Sequence, residues 1–221
     1  MVLTPSQART FYDRFGRKQD AQAFYEDAAL DDLVAHAAFE QAENIFEFGC
    51  GTGRLASRLL ASHLPSSASY FGIDISSTMV DIAAQRVASY AERARVAQSD
   101  GAVSFPLPDH SVDRVVSTYV LDLLSEADIG TALSEAHRVL APNGQLCLVS
   151  LTTGKTPVSR FVSALWSVLF HLHPPMVGGC RPICIDSFVT AQRWAVTYRS
   201  LPVRFGVPSE VLIASPVMEA R

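Results

Sequence analysis

The sequence predicts an α/β fold: a doubly wound, mostly parallel sheet flanked by helices and closed by a C-terminal antiparallel hairpin. Three observations predict it. From residue 43 to 151 strand-like and helix-like patterns alternate, which calls for parallel strands joined by crossover helices. The first strand-like run, Asn44-Ile45-Phe46, leads into E-F-G-C-G-T-G-R-L-A from Glu47 to Ala56, where a strand pattern passes through alternating glycines into a helix pattern. Near the end, residues 196–203 and 210–215 are strand-like and flank a turn segment holding Gly206 and Pro208.

The chain reads as one domain. Residues 1–42 form an N-terminal helical cap, anchored by Phe11, Phe15, Phe24, Tyr25, Leu30, Leu33 and Val34 and broken near Gly16 and Asp20. Residues 43–152 form a core with strands ending near Phe48, Asp74 and Gln98, and with helices at 55–62, 78–91 and 126–140. Residues 153–195 form a separate region: a bulky apolar helix at 157–172, a Pro-, Gly- and Cys-rich loop at 173–185 and a short capped helix at 186–194. The hairpin occupies 196–216.

Composition narrows the function. With 221 residues and 48% hydrophobic content the chain buries a full core. A net charge of -4, with two lysines and sixteen scattered arginines, gives no basic face for nucleic acid, so no nucleic-acid partner is expected. The N-terminal residues lack the apolar core of a signal peptide, and four cysteines are few for a disulfide scaffold, so a reducing cytoplasm is expected. The apolar run 161–172 spans 12 residues, against about 20 for a membrane-crossing helix.

The glycine turn carries the functional signal. Glycine serves where a backbone turns sharply or a ligand lies against bare main chain, and the strand-to-helix turn of such a sheet is where nucleotide-like ligands bind. Gly51-x-Gly53-x-x-Ala56 satisfies a dinucleotide fingerprint. The alternative frame, Glu47-x-Gly49-x-Gly51-x-Gly53, resembles the cofactor loop of class I S-adenosylmethionine-dependent methyltransferases. Further segments resemble that family in its own order. Asp74 ends a second strand 25 residues after Gly49, where an acid accepts from ribose hydroxyls. It is followed by Ile75 and by a helix start with Met79. Asp100-Gly101 ends the third strand, where the family places an acid on the adenine amino group. A fourth strand follows the proline-rich lead-in from Pro106, and Leu140-Ala141-Pro142-Asn143-Gly144 is similar to the family's turn before strand five, with Asn143 in place of a glycine. The resemblance is strong over residues 43–152.

It implies a Rossmann-like sheet of seven strands, S-adenosylmethionine as cofactor held by Glu47, Gly49, Gly51, Gly53, Asp74, Ile75, Met79, Asp100 and Gly101, and methyl transfer to a small, apolar or aromatic acceptor in the manner of quinone-biosynthesis enzymes. On the acceptor side, Tyr119 and Asp122 follow the fourth strand and are the candidate catalytic residues. Many relatives carry a histidine pair where Asp122-Leu123 stands. Tyr12 lies in a segment that folds over the cofactor in relatives, and Trp166 and Phe170 belong to an apolar stripe suited to a lid, so these three are candidate acceptor contacts. Peripheral membrane contact through that stripe is a further expectation. His171, His173, Cys180 and Cys184 have no common zinc spacing, and no metal is expected. Two alternatives stay open: an NAD-dependent oxidoreductase, although neither Lys18 nor Lys155 follows a Tyr at the Tyr-x-x-x-Lys spacing, and a non-catalytic S-adenosylmethionine-binding regulator.

Overall fold

Side-chain parity along the strands builds two cores, one on each face of a single sheet. The computed structural model describes residues 2–218. The helical cap comprises α1 (Pro5–Phe15), a 3-10 segment and α2 (Ala23–His36). The core continues through β1 (Asn44–Phe48), α3 (Arg54–Ser62), β2 (Ser69–Asp74), α4 (Ser77–Arg86), β3 (Ala94–Gln98), β4 (Val112–Thr118), α5 (Glu126–Val139) and β5 (Leu140–Leu151). The chain closes with α6 (Pro157–Leu172), β6 (Trp194–Ser200), the two-residue β7 (Val203–Arg204) and β8 (Val207–Pro216). Ile45, Val116, Cys147, Val149, Val211 and Ile213 face α2 and α3. Their chain neighbours Phe46, Val115, Leu146, Leu148, Leu212 and Ala214 face α5 and residues 183–194. Both faces are apolar because crossover helices cover both, as a parallel sheet requires.

The strand order is β3-β2-β1-β4-β5-β8-β6, with β7 paired to β8 off this path. Strands β1 to β5 pair in parallel. Strand β8 enters antiparallel between β5 and β6. The expected seven-stranded, mostly parallel sheet with a terminal antiparallel pair is therefore present.

Several elements differ from expectation. The helix expected over 78–91 ends at Arg86 and continues as a 3-10 turn, Ala88–Tyr90. The helix expected over 186–194 is a 3-10 turn at Ile185–Ser187, and Trp194 opens β6 instead. Trp194 pairs with Pro216 and buries its ring edge-on to His137 at 5.3 Å, so a long-range contact overrides the local helix signal. The hairpin turn is tighter than expected. Phe205 and Gly206, with φ of 51° and 82°, reverse the chain between β7 and β8 with the positive-φ pair of a two-residue loop.

The cap is fastened to the sheet by a buried cation. Arg114 on β4 is 5% exposed. It donates from Nε to the Ala37 carbonyl and from Nη2 to the Ala38 carbonyl, both at 2.9 Å, capping the chain just past α2, where Ala38 also accepts from Gln41 N. Arg114→Ala is expected to cost about 2–4 kcal/mol in urea unfolding, since charge-assisted bonds vanish and the buried Ala37 carbonyl loses its donor. Arg114→Lys should recover less than half, because an ammonium lacks the fork that spans two acceptors.

Candidate active site

The strand order reverses between β1 and β4, and such a reversal leaves a crevice at the carboxyl ends of the strands. A cavity of about 260 Å³ occupies it, near the small end of the ligand-site range. Its floor comes from four strand ends: Phe48 and Gly49 after β1, Ile73 to Ile75 after β2, Ser99 and Gly101 after β3, and Thr118 to Val120 after β4. Its roof is α1, which contributes Pro5, Ala8 and Tyr12.

The three glycines do different work. Gly49, Gly51 and Gly53 have φ of 80°, 52° and 72°, all in the region that favours glycine. The N–H groups of Gly49 and Cys50 both donate to the Ile73 carbonyl, at 2.8 and 3.0 Å. A Cβ on Gly49 would lie 2.3 Å from Val120 Cγ2, and one on Gly53 would lie 2.9 Å from Ala83 Cβ. These two positions serve packing between strand ends and between α3 and α4. A Cβ on Gly51 would meet nothing within 4 Å, so Gly51 borders open space in the cavity wall.

Asp74 accepts from the Gly51 and Ser76 N–H groups, each at 2.9 Å. Burial pushes its pKa up to about 6, against those backbone donors, which favour the anion. Lid helix α1 is tied down beside it. Arg9 donates to the carbonyls of Ile75 (3.2 Å) and Asp100 (3.1 Å), and Asp13 accepts from Ser76 Oγ at 2.6 Å. Between them in sequence, Tyr12 donates its hydroxyl to the Gly178 carbonyl at 3.1 Å. Gln19, also in the wall, has a buried Oε1 with no hydrogen-bond partner among the described residues.

Comparison with known proteins now decides the family. Residues 45–144 match the model of the methyltransferase domain. The chain is 30% identical over 148 residues to the demethylmenaquinone methyltransferase of Symbiobacterium thermophilum, an alignment covering 66% of this chain and 56% of that one. The fold is shared with a [4+2]-cyclase, SpnF, at a TM-score of 0.73, 17% identity and 97% of both chains. It is also shared with geranyl diphosphate methyltransferase solved in complex with SAM, at a TM-score of 0.66 and 12% identity over 87% of this chain and 86% of that one. Over residues 45–144 the chain carries a methyltransferase domain, and it resembles the class I S-adenosylmethionine-dependent methyltransferases. It spans a little over half the length of the curated quinone-pathway relatives it matches.

Set against that family's pattern, the cavity brings together Gly49, Gly51, Asp74, Ile75, Met79 and Gly101 from the cofactor set, with Tyr12 and Tyr119 from the acceptor set. The other candidates lie elsewhere. Glu47 is 2% exposed and takes the Tyr70 hydroxyl at 2.5 Å under the sheet. Gly53 caps α3. Asp100 is exposed, with Oδ1 accepting from Ala102 N, while its carbonyl holds Arg9. Tyr119, itself in the lining, has φ +57° and pairs its hydroxyl with Ser209 Oγ at 2.9 Å.

Asp122 is fully buried behind the wall. Its Oδ2 accepts from Leu151 N at 3.2 Å and its carbonyl from Arg181 N at 3.1 Å. Trp166 packs edge-on to Tyr25 and donates Nε1 to the Cys180 carbonyl at 3.1 Å, and Phe170 is buried at 3% exposure. Neither lines the cavity, because α6 lays this side on the core. Cys180 is buried and Cys184 exposed, and no cluster of three or more metal-ligating groups exists among the described residues. Arg9 and Gln19 were missed by sequence reasoning. Arg9 and Asp13 sit four apart beside the cavity-facing Ala8 and Tyr12, a helical spacing that was available as a signal.

Two measurements follow from this geometry. Gly51→Ala is expected to fold with a loss of about 1–2 kcal/mol, the cost of an L side chain at left-handed φ. Gly49→Ala adds a clash with a β-branched side chain and should lose about 2–5 kcal/mol in the same unfolding assay. Burial also raises the carboxyl pKa of Glu26, Glu47 and Asp122 to about 7 each, with Arg54, Tyr70 and the Leu151 N–H respectively opposing it. Groups with raised folded pKa stabilise fully below the unfolded value of about 4, and that contribution is lost as pH rises through the folded values. The ligand-free protein should therefore melt higher near pH 5 than near pH 8, and Glu47→Gln should flatten that slope.

Proposed function

We propose that the protein transfers a methyl group from S-adenosylmethionine to a small acceptor with an aromatic or alkyl body. The observation that carries this reading is the roofed cavity at the β1/β4 reversal, with Asp74 and the open side of Gly51 in its wall. The residues fit the cofactor. Asp74 has only backbone donors and no cation partner, so lone pairs remain for ribose hydroxyls. Ile75, Met79, Ala102 and Val103 offer an apolar slot for a base. The orphan Gln19 Oε1 suits a donor such as an ammonium or hydroxyl group.

S-adenosylmethionine supplies a methyl group already activated by its sulfonium. The chain's own task is then to align a nucleophile and exclude water. Lid helix α1 excludes water through its ties to residues 75, 76, 100 and 178. Leu3, Tyr12, Val120 and Leu123 form an apolar wall that suits a nonpolar acceptor body. A nucleophile without a proton to lose needs no side-chain base, consistent with the burial of Asp122 behind this wall.

Calorimetry tests the cofactor directly. S-adenosylmethionine and its demethylated product should bind, and NAD should not; NAD binding without an S-adenosylmethionine signal would overturn the reading. Hydroxyl donors favour the ionised carboxylate, so affinity should rise as pH increases through about 6 and level off above it. Asp74→Asn should weaken binding by about 1–3 kcal/mol and abolish that pH dependence. An acceptor panel under the same conditions should favour aromatic and alkyl bodies over small charged ones.

A further inference from the structure

Helix α6 turns its apolar side to solvent. Ser159 and Ser163 are buried, while Val158, Phe161, Leu165, Val168 and Leu172 are 48–76% exposed. These five recur at alternating steps of three and four residues, so they form one continuous stripe. The stripe continues onto the β7–β8 turn. A Cβ on Gly206 would touch Val162 and Val158, and the neighbouring Phe205 stands 68% exposed at the tip, 5.7 Å from the exposed ring of Phe24. Past the C-terminal end of α6, exposed Met176 adjoins Pro175, which walls a groove with Phe11 and Phe15 on the outer face of the lid. An exposed apolar surface of this extent marks an interaction site.

Charge identifies the occupant. The chain carries -4 overall, yet the fifty residues between Glu135 and Asp186 contain no Asp or Glu. Lys155 just before α6 and Arg160 on it, Arg14 and Lys18 at the lid groove, and Arg204 beside Phe205 surround the apolar surface. None of the five makes an ion pair among the described residues. The acids of the neighbouring elements are engaged elsewhere: Asp13 with Ser76, Asp20 with Arg86, and Asp27 and Asp31 with Arg54 and Arg58. A second copy docked by a two-fold axis would set this cationic face against itself with no acid to pair it. A bilayer with anionic headgroups complements both features at once: apolar side chains enter the acyl boundary and the cations meet the phosphates. We infer that the α6 stripe, the Phe205 tip and the outer face of the lid form a docking surface for an anionic lipid bilayer. This goes beyond methyl transfer and does not depend on it.

Vesicle co-sedimentation of the full chain tests the inference without any activity readout. Vesicles of phosphatidylcholine containing about 30 mol% phosphatidylglycerol should retain the protein, with retention falling as salt rises. Pure phosphatidylcholine should retain at least tenfold less. Phe161→Asp with Val168→Asp changes only exposed positions and should lose binding at least tenfold with an unchanged melting temperature. If that variant misfolds, Lys155→Glu with Arg160→Glu decides, and it too should lose binding. Failure to bind anionic vesicles overturns the inference, as does equal binding to both vesicle types. A wild-type dimer in sedimentation equilibrium that the Asp variant splits also overturns it, because the stripe then covers a second copy.

Discussion

The carbonyl oxygen of Ile73 accepts hydrogen bonds from both Gly49 and Cys50, and the crevice is organised around that one acceptor. Two successive N–H groups can converge on one oxygen only if the chain bends sharply after β1. The bend puts the Gly49 backbone where its missing Cβ would strike Val120. The ends of β1, β2 and β4 are thus held together at the place where the strand order reverses. Asp74, one residue after Ile73, then faces the Gly51 N–H and the cavity. A side chain at Gly49 would part β1 from β4, and with them the walls that the cavity needs.

The lid is fastened differently from the floor. Floor contacts are main-chain bonds between strands and their turns, fixed by the fold. Lid contacts are side-chain bonds from Arg9, Tyr12 and Asp13 to carbonyls and caps at the strand ends. Such bonds are individually modest and exchange readily for water, so α1 is held less firmly than the floor beneath it. Two of these residues, Arg9 and Asp13, bracket the ends of β2 and β3. The third, Tyr12, reaches the loop after α6, which links lid position to the apolar surface on that side of the molecule.

The parts legible in the sequence were those set by local pattern. The glycine turn, the acids ending β2 and β3 and the alternation of elements all reflect short-range requirements of turn geometry and strand parity. What was not legible depended on distant partners. Trp194 opens a strand because β8 and His137 receive it, although its neighbours read as a capped helix. Helix α6 shows apolar residues around most of its circumference, so its pattern did not say which side packs. The structure lays Trp166 and Phe170 inward and leaves Phe161 and Leu165 outside. Gln19 lay in a segment with no motif, and only its placement over the cavity reveals its unpaired oxygen.

Asp122 shows why position after the fourth strand does not by itself assign a chemical role. Its carboxylate takes the Leu151 N–H and its carbonyl takes both the backbone and the side chain of Arg181, so one residue joins the β4 end, the β5 end and the loop beside the lid. Burial raises its pKa to about 7 and leaves Oδ1 without a hydrogen-bond partner among the described residues, which favours the neutral acid at mildly acidic pH. A group in that setting holds the wall by its hydrogen bonds and does not itself line the cavity. The same fold carries a [4+2]-cyclase as well as methyltransferases, so chemistry follows from what the wall admits and how the cavity orients it. Here the wall is largely apolar, with Gly51, Asp74 and Gln19 on one side and Thr118, Ser125 and Asp128 beside Val120 and Leu123. Under the proposed methyl transfer, shape and apolar contact at Leu3, Tyr12, Val120 and Leu123 would select the acceptor, opposite the Gly51 and Asp74 side.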